Sequence, residues 1–346
     1  MSSVYDLPAD YRPLLSTRQI ETAIKDIKDF FERNLAAALG LERVTAPLFV
    51  RSGTGVNDDL NGVEQPVRFN VKEDGGALVE IVQSLAKWKR LALKRYGYRV
   101  GEGIYTDMNA IRPDETLDSI HSIYVDQWDW EKIIAHEERN RQTLEAVVRA
   151  IYDAICRTEC HVASQCSGIR PMLPESITCL TSEELYQRWP DVGPREREQR
   201  ACAEHRAIFV VGIGATLPDG QPHDGRAPDY DDWTTPRPDG GCGLNGDILL
   251  WNPVLGRAFE ISSMGIRVDP QTLVRQLKIR GLEHRLEFPF HRALAAGELP
   301  QSIGGGIGQS RLCMFFLRTA HIGEVSVGIW PEAMQQACAA AGVPLL

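Results

Sequence analysis

Four places in the chain put polar residues where a strand or a tight loop would otherwise be apolar. The first is Gln127 with Asp129, which strand alternation places on the face of Ile123 and Val125. A carboxylate there costs free energy unless it is paired, or unless the strand end projects into water. The second is Phe259-Glu-Ile-Ser-Ser263, in which Glu260 and Ser262 fall on one face, opposite Phe259 and Ile261. Asp247 begins the preceding strand-like run, so two antiparallel neighbours can present Asp247 and Glu260 together. Paired carboxylates suit Mg²⁺ bound with substrate phosphates, although a solvated face is the ordinary setting for acids. The third is Pro228-Asp-Tyr-Asp-Asp-Trp233. Its acids and aromatics suit an ammonium group and a stacked base, or an ordinary Asp-rich turn. The fourth is Arg112-Pro-Asp-Glu115, with Arg311 far along the chain behind the glycine run 304–308. Arginines near a helix start suit phosphates; singly, each also suits a surface salt bridge. Together these groups fit nucleotide-dependent activation of an amino acid better than hydride transfer or proteolysis.

Familiar alternatives lack their residues. There is no GxxxxGK[ST], no GxGxxG opening a βαβ unit and no GxSxG elbow. His136-Glu137 starts like HExxH, but Asn140 stands where the second ligand belongs. Cys156, Cys160, His161 and Cys166 cluster in sequence at a spacing that fits no standard metal site.

The elements that must position these residues follow from periodicity. Ser16 and Gln19 form a capping box ahead of Ile20, Ile24, Ile27, Phe31, Leu35 and Leu39, and Gly40 stops that helix. Strands are predicted over 44–50 (with Pro47 at an edge), 78–82, 120–130, 209–213, 247–251 and 257–268. Helices are predicted from Ser84 to about 96, over 130–160 and 195–206, from Asp269-Pro270, and from Gln309 to about 319, the last taken as the final helix. Residues 57–62 read as a turn. Residues 162–206 start irregular, and 215–245 show no period, which in a compact protein marks function or disorder. Strand pairs that follow one another directly point to an α+β fold, a largely antiparallel sheet flanked by helices.

The 346 residues are 43% hydrophobic and 25% charged, with a net charge of −9. That is an ordinary globular composition with enough apolar residues for a sizeable core. The acidic balance argues against a dedicated nucleic-acid binder. No apolar run is long enough for a membrane span. Residues 1–13 lack a leader's apolar region, and scattered cysteines without CxxC fit reduced thiols in the cytoplasm.

Seven stretches in one order resemble the ammonia-dependent aspartate–ammonia ligase family, the asparagine synthetase A type, which shares the class II aminoacyl-tRNA synthetase catalytic core. They are Ser84-Leu-Ala-Lys-Trp-Lys-Arg90, Arg112-Pro-Asp-Glu115, Tyr124-Val-Asp-Gln-Trp-Asp-Trp-Glu131, Arg226-Ala-Pro-Asp-Tyr-Asp-Asp-Trp233, Leu244-Asn-Gly-Asp-Ile248, Phe259-Glu-Ile-Ser-Ser-Met-Gly-Ile-Arg-Val268 and Ile303-Gly-Gly-Gly-Ile-Gly-Gln-Ser-Arg311. The resemblance implies one catalytic domain over 1–346. Within it a motif 1-like segment covers about 16–50 and builds a homodimer, and a motif 2-like segment covers about 104–131. An insertion follows at about 160–206, and a motif 3-like segment at about 303–319. Two positions depart from the pattern: Ser310 stands where synthetases carry Glu, and Gln83 where His is expected.

The implied activity is synthesis of L-asparagine from L-aspartate, ATP and ammonia through a β-aspartyl-adenylate, releasing AMP and pyrophosphate. The implied roles place Arg112 on the α-phosphate and reacting β-carboxylate, Arg311 along the ATP phosphates, and Mg²⁺ on Asp247 and Glu260. Tyr230 is implied near the adenosine. Ser84, Lys89, Gln127, Asp129, Asp231, Ser262 and Ser263 line the aspartate pocket, with Gln127 counted among the catalytic residues. Lys89 is the candidate for the α-carboxylate, Asp129 or Asp231 for the α-ammonium, and Asp58 for holding ammonium and taking its proton. With no glutaminase signature, free ammonia is the expected donor. The alternatives are a relative that adenylates aspartate for another nucleophile, and a non-catalytic amino-acid sensor.

Overall fold

In the computed structural model, which describes residues 7–8, 10–60 and 64–346, the chain opens on helix α1 (Thr17–Leu39). The stretch 1–13 and the turn at 57–62 lie partly outside the described residues. Gln19 Oε1 accepts the Ser16 backbone N–H at 2.9 Å. Gly40 ends the helix at φ 68°, a left-handed conformation open to glycine. The single strand expected over 44–50 is instead two fragments, β1 (Leu41–Arg43) and β2 (Phe49–Arg51), in different sheets. Pro47 between them has no N–H to offer a ladder.

The chain continues through β3 (Arg68–Val71), β4 (Ala77–Ile81), α2 (Ala86–Tyr96), β5 (Gly103–Ile111) and β6 (Tyr124–Ile133). Then come α3 (Arg141–Gln165), β7 (Thr178–Thr181), α4 (Ser182–Arg188), α5 (Pro194–His205), β8 (Ala207–Val211), β9 (Asn245–Asn252) and β10 (Arg257–Ile266). The last elements are α6 (Pro270–Arg280), α7 (Pro289–Ala295), β11 (Ser302–Gly308), α8 (Gln309–Leu317) and α9 (Glu332–Ala340). Strands β1-β5-β6-β11-β10-β9-β8-β7 form one sheet in that order, and β2-β4-β3 a smaller one. In the large sheet the outermost pairs, β1 with β5 and β7 with β8, are parallel, and the pairs between them are antiparallel. The expected α+β architecture is the one observed.

One face of the large sheet carries the main core. Phe31 and Leu35 of α1, Ile151 of α3 and Phe315 of α8 pack there against Trp128, Trp130, Phe259 and Ile307. The other face is covered at one end by α2, whose Leu93 meets Ile104 and Ile133. At the other end, residues of α4 and α5 (Leu185, Ala201, Cys202) pack on Ile208, Val210 and Leu249. The uncovered middle of that face holds the polar residues.

Four local departures decide which side chains reach that gap. β6 runs on to Ile133 and α3 starts only at Arg141, so the strand is displaced from 120–130 and the helix from 130–160. The glycine run that leads into α8 is itself strand β11, and α9 follows α8, which was expected to be the final helix. A β-bulge lies between Glu260 and Ser262, which flips the alternation of β10. Glu260 therefore does not share a face with Ser262. It shares one with Ser263, while Ser262 pairs with Ile307 and Ile248 on the core side and donates to the Gly306 carbonyl at 2.9 Å. The insertion holds a strand, β7, that was not expected, as does the smaller sheet in β3.

Candidate active site

Five strands supply a row of paired residues across the gap: Thr106, Asp129, Gly306, Ser263 and Asp247. The glycines are needed where the row is crowded. A Cβ on Gly304 would run into Glu131, and one on Gly306 into Gln127. The cavity above the row measures about 330 Å³. It brings together Asp58, Ser84, Lys89, Arg112, Gln127, Asp129, Tyr230, Asp231, Glu260, Ser262, Ser263 and Arg311 from distant parts of the chain. Asp247 lies on the same sheet row but is not among the lining residues.

Asp129 is buried and ion-paired with Lys89, which excludes the solvent-exposed alternative. Lys89 Nζ also donates to the Gly305 carbonyl at 2.9 Å and stands 3.9 Å from Glu131. Burial pulls the Lys89 ammonium below its usual range, against the opposing pull of Asp129 and Glu131. Asp129 Oδ2 has no hydrogen-bond partner. Asp231, by contrast, is held by Arg267 and lies 3.7 Å from Arg226. Arg267 grips Glu131 with Nε at 3.0 Å from Oε1 and Nη2 at 2.8 Å from Oε2. Burial would raise the Glu131 carboxyl, but Arg267, Lys89 and Ser302 hold it below its usual range.

Glu131, Arg267 and Arg226 were not singled out from the sequence. For Glu131 the signal was present: alternation puts it on the face of Gln127 and Asp129. The two arginines are brought in only by the loop and strand that fold around the acids.

Arg112 stands at the cavity edge, with Nη2 on the Gln83 carbonyl at 3.2 Å and a buried, unpartnered Nε. Gln83 is fully buried and its side-chain amide has no partner. Arg311 donates to the Glu260 carbonyl at 3.0 Å and lies over the Phe259 ring. At the start of α8 the Ser310 N–H is taken by Asp126 Oδ1 at 3.0 Å. Ser84 Oγ accepts the Ala86 N–H at 3.2 Å, at the first turn of α2.

Asp247 and Glu260 share a sheet face. Burial and the Glu260 charge push the Asp247 carboxyl up to about 7, although Arg226 donates to it. Tyr230 lies among Asp58, Asp231 and Arg226, with Arg267 over its ring, at the acidic end of the cavity. Asp58 is 3% exposed, and neither of its carboxylate oxygens has a hydrogen-bond partner. Burial pushes its carboxyl up to about 6; Lys87 at 4.0 Å opposes this, and Asp229 and Asp59 add to it.

Chemically, the cavity offers paired charges for a zwitterion at its floor, arginines at its edge and an unpartnered carboxylate at its acidic end. A family model described as aspartate-ammonia ligase matches residues 18–342. The chain is 56% identical over 340 residues to an aspartate–ammonia ligase of Clostridium perfringens, with 98% of each chain covered. It is 55% identical over 339 residues to one of Bacteroides fragilis, again with 98% of each covered. Among solved structures, asparaginyl-tRNA synthetase of Entamoeba histolytica in complex with asparaginyl-adenylate has a TM-score of 0.65 at 14% identity, over 91% of this chain and 68% of that one. The asparaginyl-tRNA synthetase of Pyrococcus horikoshii, complexed with asparaginyl-adenylate, has a TM-score of 0.62 at 16% identity, over 90% and 70%. These likenesses show the fold, a class II synthetase catalytic core.

Proposed function

This chain belongs to the aspartate–ammonia ligase family, and from that premise we propose how its cavity makes asparagine. The enzyme couples ATP to the conversion of L-aspartate into L-asparagine through a β-aspartyl-adenylate, and ammonia is the nitrogen donor. The observation that carries the assignment of the floor is the Lys89–Asp129 pair with one free oxygen. The two charges satisfy each other. A bound aspartate replaces the pair with its own: Lys89 takes the α-carboxylate and Asp129 the α-ammonium. Asp231, already gripped by Arg267, positions the floor instead. Ser84, Gln127 and Ser263 complete the pocket, and Ser262 supports it through the Gly306 carbonyl. Tyr230, by its contacts, shapes the aspartate end rather than the adenosine site.

In the first step a β-carboxylate oxygen of aspartate attacks the α-phosphorus of ATP, and the bond to pyrophosphate breaks. Arg112 brings both anions together and stabilises the charge that develops between them; Arg311 aligns the remaining phosphates. Holding two reactants in register contributes on the order of 7–11 kcal/mol of barrier lowering, and fixed donors aimed at the developing charge add to it. In the second step ammonia attacks the β-carbonyl carbon, and the bond to AMP breaks. Ammonium has no lone pair, so Asp58 must first take a proton from it.

Asp247 and Glu260 fit Mg²⁺: they are oxygen donors on one sheet face whose mutual repulsion a cation relieves. The ion would shield the charge of the ATP phosphates. The same reading includes one catalytic domain, a homodimer and a cytoplasmic setting. Leu48 and Phe49, at the end of the motif 1-like segment, are about half exposed, which supports a partner surface. The eight cysteines are free thiols, which supports a reducing compartment. No helix among the described residues is long and apolar enough to cross a membrane.

The test is isotope exchange between pyrophosphate and ATP. It should require aspartate and proceed without ammonium. Exchange that ignores aspartate would remove the assignment.

A further inference from the structure

Arg226 lines the cavity, and the reaction above gives it no part. Its guanidinium stands between two acids. Nη2 donates to Asp247 Oδ1 at 2.5 Å, and Nε lies 3.7 Å from Asp231 Oδ2. That Nε is buried and has no hydrogen-bond partner. Asp231 does not depend on it, because Arg267 already holds that carboxylate. Of the bonded pair, Arg226 lines the cavity and Asp247 does not. The arginine therefore stands between Asp247 and the space the reactants enter.

Only the outer part of this side chain is able to turn. Gly214, at φ 99°, carries no side chain, and a Cβ there would come 2.9 Å from Arg226 Cβ. The Arg226 carbonyl accepts Arg280 Nη2 at 3.4 Å. Backbone and Cβ are thus held on both sides, and the guanidinium swings about a fixed root.

The other acid of the metal pair is arranged alike. Arg311 Nη1 donates to the Glu260 carbonyl at 3.0 Å and stands 3.9 Å from the Glu260 carboxylate. Each carboxylate that fits Mg²⁺ has its own arginine at the cavity wall, and Arg311 is the one assigned to the ATP phosphates. A divalent cation brings two charges to these two carboxylates, together with the phosphates it binds. Two cations at one carboxylate oxygen repel each other, so a metal and Arg226 compete for Asp247. The charge of Arg226 is then left over, and the polyphosphate is the anion that matches it.

We propose that Arg226 holds Asp247 in competition with the divalent cation, and that a cation bound there releases the guanidinium to the ATP phosphates. The proposal rests on the ligase and metal readings above. Arg226 is then a substrate-binding residue that engages only when the metal is in place, which ties its grip on the phosphates to metal loading.

Mn²⁺, followed by electron paramagnetic resonance, reports the competition without ATP. Arg226→Gln should bind Mn²⁺ about tenfold or more tightly than the unaltered protein, because a charged competitor for Asp247 is gone. The same variant should lose about 10²-fold in aspartate-dependent pyrophosphate exchange, the cost of a lost phosphate donor. Tighter metal with slower exchange is the signature, since a merely structural role would weaken the one and slow the other. Mn²⁺ binding that is unchanged or weaker in Arg226→Gln would overturn the proposal, and so would unchanged exchange. Mn²⁺ binding that survives Asp247→Asn would sink the metal assignment itself, and the proposal with it. Absence of exchange in the unaltered protein would sink the ligase reading. Because a variant can fail to fold, a second measurement uses the unaltered protein, crystallised with Mn²⁺ and α,β-methylene ATP. Anomalous density at Asp247, with Arg226 turned from it onto a phosphate oxygen, is expected. Arg226 still bonded to Asp247 beside the bound metal would overturn the proposal.

Discussion

Asp58 and Arg112 sit at the same cavity and are assigned to different half-reactions, so their variants should separate the steps. Arg112→Ala should lower aspartate-dependent pyrophosphate exchange by about 10²–10³-fold, the usual cost of a lost transition-state donor, with an unchanged circular-dichroism spectrum. Retained exchange would remove Arg112 from the first step. Asp58→Asn should spare exchange and lower asparagine formation by about 10²–10⁴-fold, the range for a lost general base. The pH dependence follows in sign. Asp58 accepts a proton only when ionised, and burial among Lys87, Asp229, Asp59 and Tyr230 puts its carboxyl at about 6. The ammonium-dependent step should therefore rise through about pH 6 and level off above it. In Asp58→Asn the rate should follow free ammonia and keep rising.

Much of the residue-level site was legible. The acids and arginines stood where strands and loops do not ordinarily carry them, and the expected site residues, Asp247 apart, line one cavity. What stayed hidden was the company they keep. Lys87, Lys89 and Arg90 lie in a helix that the sequence marks only by its start at Ser84, and all are buried. Their partners Asp229, Asp129 and Pro300 are far away in sequence. Periodicity carries no information about such long-range pairing.

At the scale of elements, the bulge in β10 is the feature with the clearest consequence. Period-2 counting from Phe259 puts Ser262 with Glu260, and one extra residue moves Ser263 there instead. Ser263→Leu should therefore obstruct aspartate, raising its KM. Ser262→Ala should raise that KM much less and cost about 0.5–1.5 kcal/mol of stability through the lost bond to Gly306, seen in denaturant unfolding. The reverse pattern would place the bulge elsewhere. A bulge is set by pairing on both sides of a strand, which a single sequence does not display. The same holds for β11: glycines have low strand propensity, and only the bulk of Glu131 and Gln127 opposite explains why they stand in a strand. Helices with caps, α1 and α6, were legible because their signals are local.

At the scale of the molecule, the sheet is covered at both ends and open at its centre. The site is thus a gap in the packing and needs no separate domain. The long stretch 215–245 fits that plan. Up to Leu244 it forms no named strand or helix, yet it buries Asp229, Asp231, Asp232 and Trp233 against the sheet and α6. Exposed apolar side chains at Leu48 and Phe49 mark the surface assigned to a second copy. Sedimentation equilibrium should give twice the 38.6 kDa chain mass. Leu48→Asp with Phe49→Asp should shift it toward the single chain, and no shift would move the interface elsewhere.

The most direct test of adenylate-forming asparagine synthesis is product analysis from ATP, Mg²⁺ and L-aspartate, with and without ammonium chloride. AMP and asparagine in equal amounts, formed only with ammonium, is the predicted result. ADP in place of AMP would contradict the account.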